Sequence, residues 1–276
     1  MRFVASLIVA TTMVFAALPA LSADRVRVTE LFDALGMDQV LDIMRREGIT
    51  YGAEMEAQMF PGGGGPRWMS LVDGIYDTDL MTETMIGGMT ERLETDEVDV
   101  LLDFMRSERG QRIVALEISA RDAMSDEAVE EAAIAAYEDL ADEGGPRWDQ
   151  LQRFAEANDL IEQNVMGGMN ANYAFYLGLL EGDAFPGDLT EDQILSDVWS
   201  QEADIRADSV DWVFAFLTLA YRPLSDDDLE AYIALSQTGE GRALNSALFG
   251  AFDDMFTGIS RAMGLAASQF VGAQDI

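Results

Sequence analysis

The sequence predicts an all-α protein made of two divergent tandem copies of a helical unit packed together. Three patterns predict it: recurrent helix-start signatures, apolar residues at helical spacing, and a block that returns at a fixed offset. Thr95, Ser125, Thr190 and Ser225 each stand before acidic residues and an apolar-periodic stretch. A hydroxyl cap and negative charge there both meet the positive end of a helix. Breaks are expected at Pro61 to Pro66, Gly144 to Pro146, Phe185-Pro186-Gly187 and Arg222-Pro223, with Pro66 and Pro146 suited to a first helical position that needs no N–H. Leu244, Leu248, Met255, Ile259 and Met263 predict one long amphipathic helix near the end of the chain.

The chain opens with the layout of a secretory signal peptide over residues 1–23. Arg2 is its short basic region, Phe3 to Leu18 its apolar stretch, and Pro19 to Ala23 a small-residue end that places cleavage near Ser22/Ala23. No Cys follows to carry a lipid, and no later segment has the ~18 or more uncharged apolar residues of a membrane span. A soluble, periplasmic or secreted protein with no stable membrane insertion after cleavage is expected. Its freedom from disulfides fits a chain of about 250 residues, which buries enough surface to do without them.

Composition narrows the chemistry. The 276 residues are 49% hydrophobic and carry 51 acidic against 17 basic side chains, a formal charge of −34. Every basic residue is Arg; Lys, His and Cys are absent. That excludes a Ser-His-Asp triad, a thiol nucleophile, a Cys/His zinc site, a Schiff base and a Walker A lysine. No cofactor is expected. Nucleic acid is an improbable partner because the arginines are scattered among acids and form no basic patch. The charge itself reads first as a solvated surface suited to salty surroundings, with salt stabilising the fold.

Gly64-Gly65-Pro66-Arg67-Trp68 returns as Gly144-Gly145-Pro146-Arg147-Trp148, an offset of 80. The match runs on to Met85-Ile86-Gly87-Gly88-Met89 against Val165-Met166-Gly167-Gly168-Met169, and resumes at an offset of 131 after an insertion of 51 residues. There Asp96-Glu97-Val98 pairs with Asp227-Asp228-Leu229, Ser107 with Thr238 and Gly110 with Gly241. The expected units are 24–125 and 126–276, the second with its insertion near 170–225.

The stretch Thr95-Asp-Glu-Val98, Leu101-Leu102, Phe104-Met105, Ser107, Gly110, Gln111-Arg112 resembles a bacterial secreted family known as domain of unknown function 2059. That pattern is an acidic helix start, an apolar face, Phe-Tyr, then Ser-x-x-Gly opening another helix; Met105 stands at the Tyr position. In the second copy Ser225 to Leu229, Thr238 and Gly241 fit, while Leu235-Ser236 replaces the aromatic pair. The resemblance implies an exported all-α protein and no activity. Read from the residues, Ser107 or Thr238 caps a helix, and Gly110 or Gly241 in its first turn admits the preceding helix.

Arg67, Trp68, Arg147 and Trp148 are the binding candidates, because Arg and Trp dominate binding hot spots. The structural alternative places each Trp in the core and each Arg against an acid. Met81, Met85 and Met89 form a helical stripe suited to Cu(I), but Ile161, Val165 and Met169 replace them in the second copy, which favours core packing. The glycine pairs at 87 and 167 look like close helix crossings or hinges, and Trp212 to Tyr221 like a buried helix. No acidic cluster follows the calcium-loop order. The expected function is non-catalytic: interaction with a protein, or apolar-ligand binding, in the cell envelope. The alternative is a carboxylate-based hydrolase, possible with Ca²⁺ or Mg²⁺.

Overall fold

The computed structural model describes residues 23–184 and 190–271. The expected signal peptide up to Ser22 and the expected break at Phe185-Pro186-Gly187 lie outside the described residues. The chain runs through α1 (Arg25–Ala34), α2 (Met37–Met59), α3 (Gly65–Ile75), α4 (Thr78–Arg92), α5 (Thr95–Met105), α6 (Glu108–Ala123) and α7 (Glu127–Glu143). It continues with α8 (Pro146–Ala157), α9 (Leu160–Glu181), α10 (Glu191–Ser200), α11 (Glu202–Tyr221), α12 (Asp226–Ser236) and α13 (Gly239–Val271). The described residues contain no strand, so the all-α prediction holds.

Helix starts follow the predicted chemistry with a one-residue shift at two of the four. Thr190 and Ser225 cap α10 and α12, accepting from the N–H of Gln193 and Asp228. At the other two, an adjacent carboxylate takes the role. Glu94 forms a capping box with Glu97 at α5, and Asp126 accepts from Ala128 and Val129 at α7. A carboxylate reaches the same N–H groups and adds a full negative charge at the helix end. Pro146 opens α8 as expected, and Pro66 falls at the second residue of α3.

The long C-terminal helix is α13, 33 residues or about 50 Å of rise. It lies along α9 and α4, with α3 and α5 also against it. Leu244, Met255, Ile259 and Met263 are buried, as their spacing predicts. They join a core with Leu31, Trp68, Val72, Leu101 and the Met81, Met85, Met89 stripe, which is buried packing. A second cluster brings together α6, α8, α11 and α12 through Ile113, Leu151, Phe154, Leu217, Tyr221 and Leu229. In α11 every residue from Trp212 to Tyr221 is buried or partly buried.

The seam between α13 and α9 is closed by glycine. A Cβ on Gly178 would sit 2.1 Å from Arg261 O, and a Cβ on Gly264 would sit 2.1 Å from Phe175 O. Each helix thus presses its backbone into the gap the other leaves. The glycine pairs singled out in the sequence do less. Gly88 faces Ala251 of α13 and Gly168 faces Ile205, while Gly87 and Gly167 meet nothing within 4 Å. Both pairs lie inside continuous helices, α4 and α9, which fits crossings better than hinges.

Two substitutions on α13 should therefore move stability in opposite directions. Gly264→Ala places a methyl against backbone and should cost about 1–3 kcal/mol, or a drop in Tm of roughly 2–12 °C for a chain of this size. Gly258→Ala, at an exposed helical position with nothing within 4 Å, should raise stability by about 0.5–1 kcal/mol. Thermal melts of the two variants beside the parent check both signs.

Candidate functional site

The two Arg-Trp corners occupy equivalent helix starts but differ in their surroundings. Trp68 is fully buried at the start of α3; its indole N–H donates to Gly52 O at 2.7 Å, and its ring meets Phe60 and Phe270 edge-on. Among the described residues Arg67 meets no acid: it donates to Gln269 Oε1 at 2.9 Å and lies 5.4 Å from the centre of the Phe270 ring. Arg147 follows the ion-pair expectation, with Asp226 Oδ1 at 2.7 Å and Leu224 O accepting at 2.8 Å. Trp148 is only partly buried, 4.9 Å from Phe214 between ring centres. The pair at 67–68 reaches the end of α13, and Arg147 reaches the start of α12. They tie helix starts to distant helices and do not converge on one cleft.

The Ser/Thr-x-x-Gly motif is architectural at both positions. Ser107 Oγ accepts from Gly110 N at 3.1 Å and donates to Phe104 O at 2.6 Å. Thr238 Oγ1 accepts from Gly241 N at 3.0 Å and donates to Leu235 O at 2.8 Å. A Cβ would fall 2.2 Å from Phe104 O at Gly110 and 2.0 Å from Leu235 O at Gly241. Only glycine lets the preceding helix end so close to the next. Phe104 itself stacks on Tyr232, 6.0 Å away, joining the α5 end to α12.

The most unusual chemistry lies under that ring pair. Glu117 of α6 accepts a hydrogen bond from the Tyr221 hydroxyl at 2.6 Å and faces the hydroxyl of Tyr232. Phe154 packs edge-on against Tyr221 and at a tilt against Tyr232, 5.3 and 5.0 Å between ring centres. Burial pushes the Glu117 carboxyl up to about 7, against the opposing pull of the two tyrosine hydroxyls. The same burial, reinforced by the facing carboxylate, raises both tyrosines well above their ordinary value of 10. One carboxyl and two phenols thus fasten α6, α11 and α12 at the centre of the second cluster. Sequence reasoning passed over Glu117, one of 51 acids. Its one local signal is its place in the apolar run Ile113 to Ile118; the tyrosines it meets lie more than 100 residues further on.

Two surface clefts stand out. One, of about 490 Å³, lies where the turn between α1 and α2 meets α6, with Asp33, Asp42, Arg46, Ile43, Ile118 and Asp122 among its lining. The other, about 220 Å³, lies at the α8–α9 junction beside Glu156, Asp159, Glu162 and Phe214. Glu117 and the Arg-Trp corners line neither. Among the described residues no group of three or more Asp or Glu is placed to hold a metal ion, and no helix is long and apolar enough to cross a membrane. The chain matches no family model, no curated protein and no solved structure.

Glu117 gives the protein a readable titration. A chain without His or Cys has no side chain whose ordinary pKa falls between about pH 5.5 and 9. Glu117 is moved into that window. Because its pKa is higher in the folded state than its ordinary 4.5, its stabilising contribution is full below pH 4.5 and disappears as pH rises through 7. Linkage across that shift predicts a loss of roughly 2 kcal/mol between pH 5.5 and 8.5. Denaturant unfolding at fixed ionic strength should show this slope in the parent and a flat profile in Glu117→Gln.

Proposed function

We propose that this chain is an exported acidic protein of the cell envelope that works by binding a cationic protein partner, without catalysis. The proposal includes signal cleavage near Ser22/Ala23, the two-unit organisation 24–125 and 126–276, and kinship with domain-of-unknown-function family 2059 through Thr95 to Arg112. The observation that carries the binding reading is the fate of the arginines. Twelve of the sixteen among the described residues are held in ion pairs with Asp or Glu of the same chain. Arg112 and Arg242 donate to the carbonyls of Pro223 and Gln237. Most of the carboxylates among the described residues are exposed. Such a surface draws in cations and repels anions well before contact.

The apolar-ligand form of the expectation draws less support, because α13 meets α9 backbone to backbone, shares a buried core with the methionine stripe of α4, and lines neither cleft. The hydrolase alternative would draw on the raised carboxyl of Glu117, which opens to neither cleft. Labelled polyarginine should bind saturably at about 0.15 M NaCl, with affinity falling steadily as salt rises, while polyglutamate does not bind. Equal binding of both, or no binding of polyarginine, overturns the reading; anisotropy titrations over a salt series decide it.

A further inference from the structure

The larger cleft has a built shape. Gly36, at φ +63° in the turn between α1 and α2, is pressed so closely on α6 that a Cβ there would lie 2.5 Å from Ile118 Cδ1. Gln111 pins the same turn, donating from one amide nitrogen to Ala34 O at 2.9 Å and to Met105 O at 2.7 Å. The wall is therefore set before any partner arrives, which lowers the ordering cost of binding. Ile43 and Val114 are buried at the base, Ile118 is partly buried beside them, and Asp33, Asp42 and Asp122 are exposed around the mouth. Arg46 is the one cationic residue of the lining, and its guanidinium is tied to Asp122 across the gap from α2 to α6. Asp38, next along α2, has its carboxyl pushed upward by partial burial and by Asp33 and Asp42. The rim thus holds more negative charge than its own arginine neutralises, above an apolar floor.

From this juxtaposition we infer that the cleft between the α1–α2 turn and α6 is the docking site for a basic, partly apolar segment of a partner protein, its Arg or Lys heads on Asp33 and Asp42 and its aliphatic side chains on Ile43 and Ile118. A long basic side chain suits both surfaces at once, because its methylene stem covers apolar surface while its head stays on charge. The volume of about 490 Å³ lies within the range of sites that bind small ligands and peptide side chains. Arg46 acts here as an internal competitor for the acidic rim. The inference rests on the cationic-partner reading above and gives it a location.

The test uses the full chain and a labelled peptide of alternating Arg and Leu, with a peptide of alternating Arg and Ser as the equal-charge comparison. At about 0.15 M NaCl the Arg-Leu peptide should bind more tightly than the Arg-Ser peptide, since only it fills the apolar floor. Asp33→Asn with Asp42→Asn should weaken it by about tenfold, while Arg46→Gln should tighten it by about threefold. The remote double change Asp139→Asn with Asp142→Asn, on exposed positions of α7, removes the same charge and should shift affinity by less than about twofold. Equal weakening by the two double variants, or no tightening by Arg46→Gln, overturns the cleft assignment and leaves the broader reading standing. Failure of both peptides to bind the parent overturns the assignment together with the reading on which it rests.

Discussion

Where α13 crosses α9, Gly178 and Gly264 remove the Cβ layer that ordinarily holds helix axes about 8–10 Å apart. The contact is reciprocal: the Cβ position of Gly178 faces Arg261 O and Leu265 N, and that of Gly264 faces Phe175 O and Leu179 N. Gly182 beside Ser268 and Gly88 beside Ala251 extend the grip along the same helix. Backbone surfaces meeting this way gain dispersion over many atoms at once and leave no room for a larger residue. The 33 residues of α13 thus become the element against which α9, α4, α3 and α5 are arranged.

The second cluster, which shares Phe104 and Tyr232 with the first, carries a polar group where the α13 seam carries glycine. The partly buried Glu117 carboxyl accepts from the Tyr221 hydroxyl and faces that of Tyr232, whose rings pack on Phe154 and Phe104. Protonated, Glu117 sits there at little cost; ionised, it opposes its own burial. The rest of the charge behaves differently. Ion pairs such as Arg25–Glu83 and Arg46–Asp122 lie at exposed positions, where they contribute little to stability. Their consequence is for the surface, since they consume the arginines and leave carboxylates to face any partner.

Much of this architecture was legible in the sequence because it follows local rules. Apolar spacing located α13, the Trp212 to Tyr221 run marked the buried half of α11, and Thr190 and Ser225 marked helix starts. Ser107, Gly110, Thr238 and Gly241 declared their geometry through spacing alone, since a cap and a close approach are properties of four consecutive residues. The shift from Thr95 to Glu94 and from Ser125 to Asp126 arose because neighbouring side chains compete for the same N–H groups. What stayed hidden was set by partners far along the chain. Nothing near Gly178 announces Gly264, nothing near Glu117 announces Tyr232, and the cleft beside Gly36 exists only once α6 closes over the turn. The Arg-Trp pairs, alike in sequence, diverged for the same reason: Arg67 met Gln269 and Phe270, whereas Arg147 met Asp226.

If the glycine crossing is what the structure depends on, the amides around it should be the last to open. Native-state hydrogen exchange in increasing denaturant measures this directly. The account predicts that α13 amides from Ala251 to Gly264 and α9 amides from Val165 to Gly178 exchange with one shared free energy, equal to that of global unfolding and above those of α7 and α10. Opening of α13 at a lower free energy than α7 or α10, with the remaining helices still protected, would contradict it.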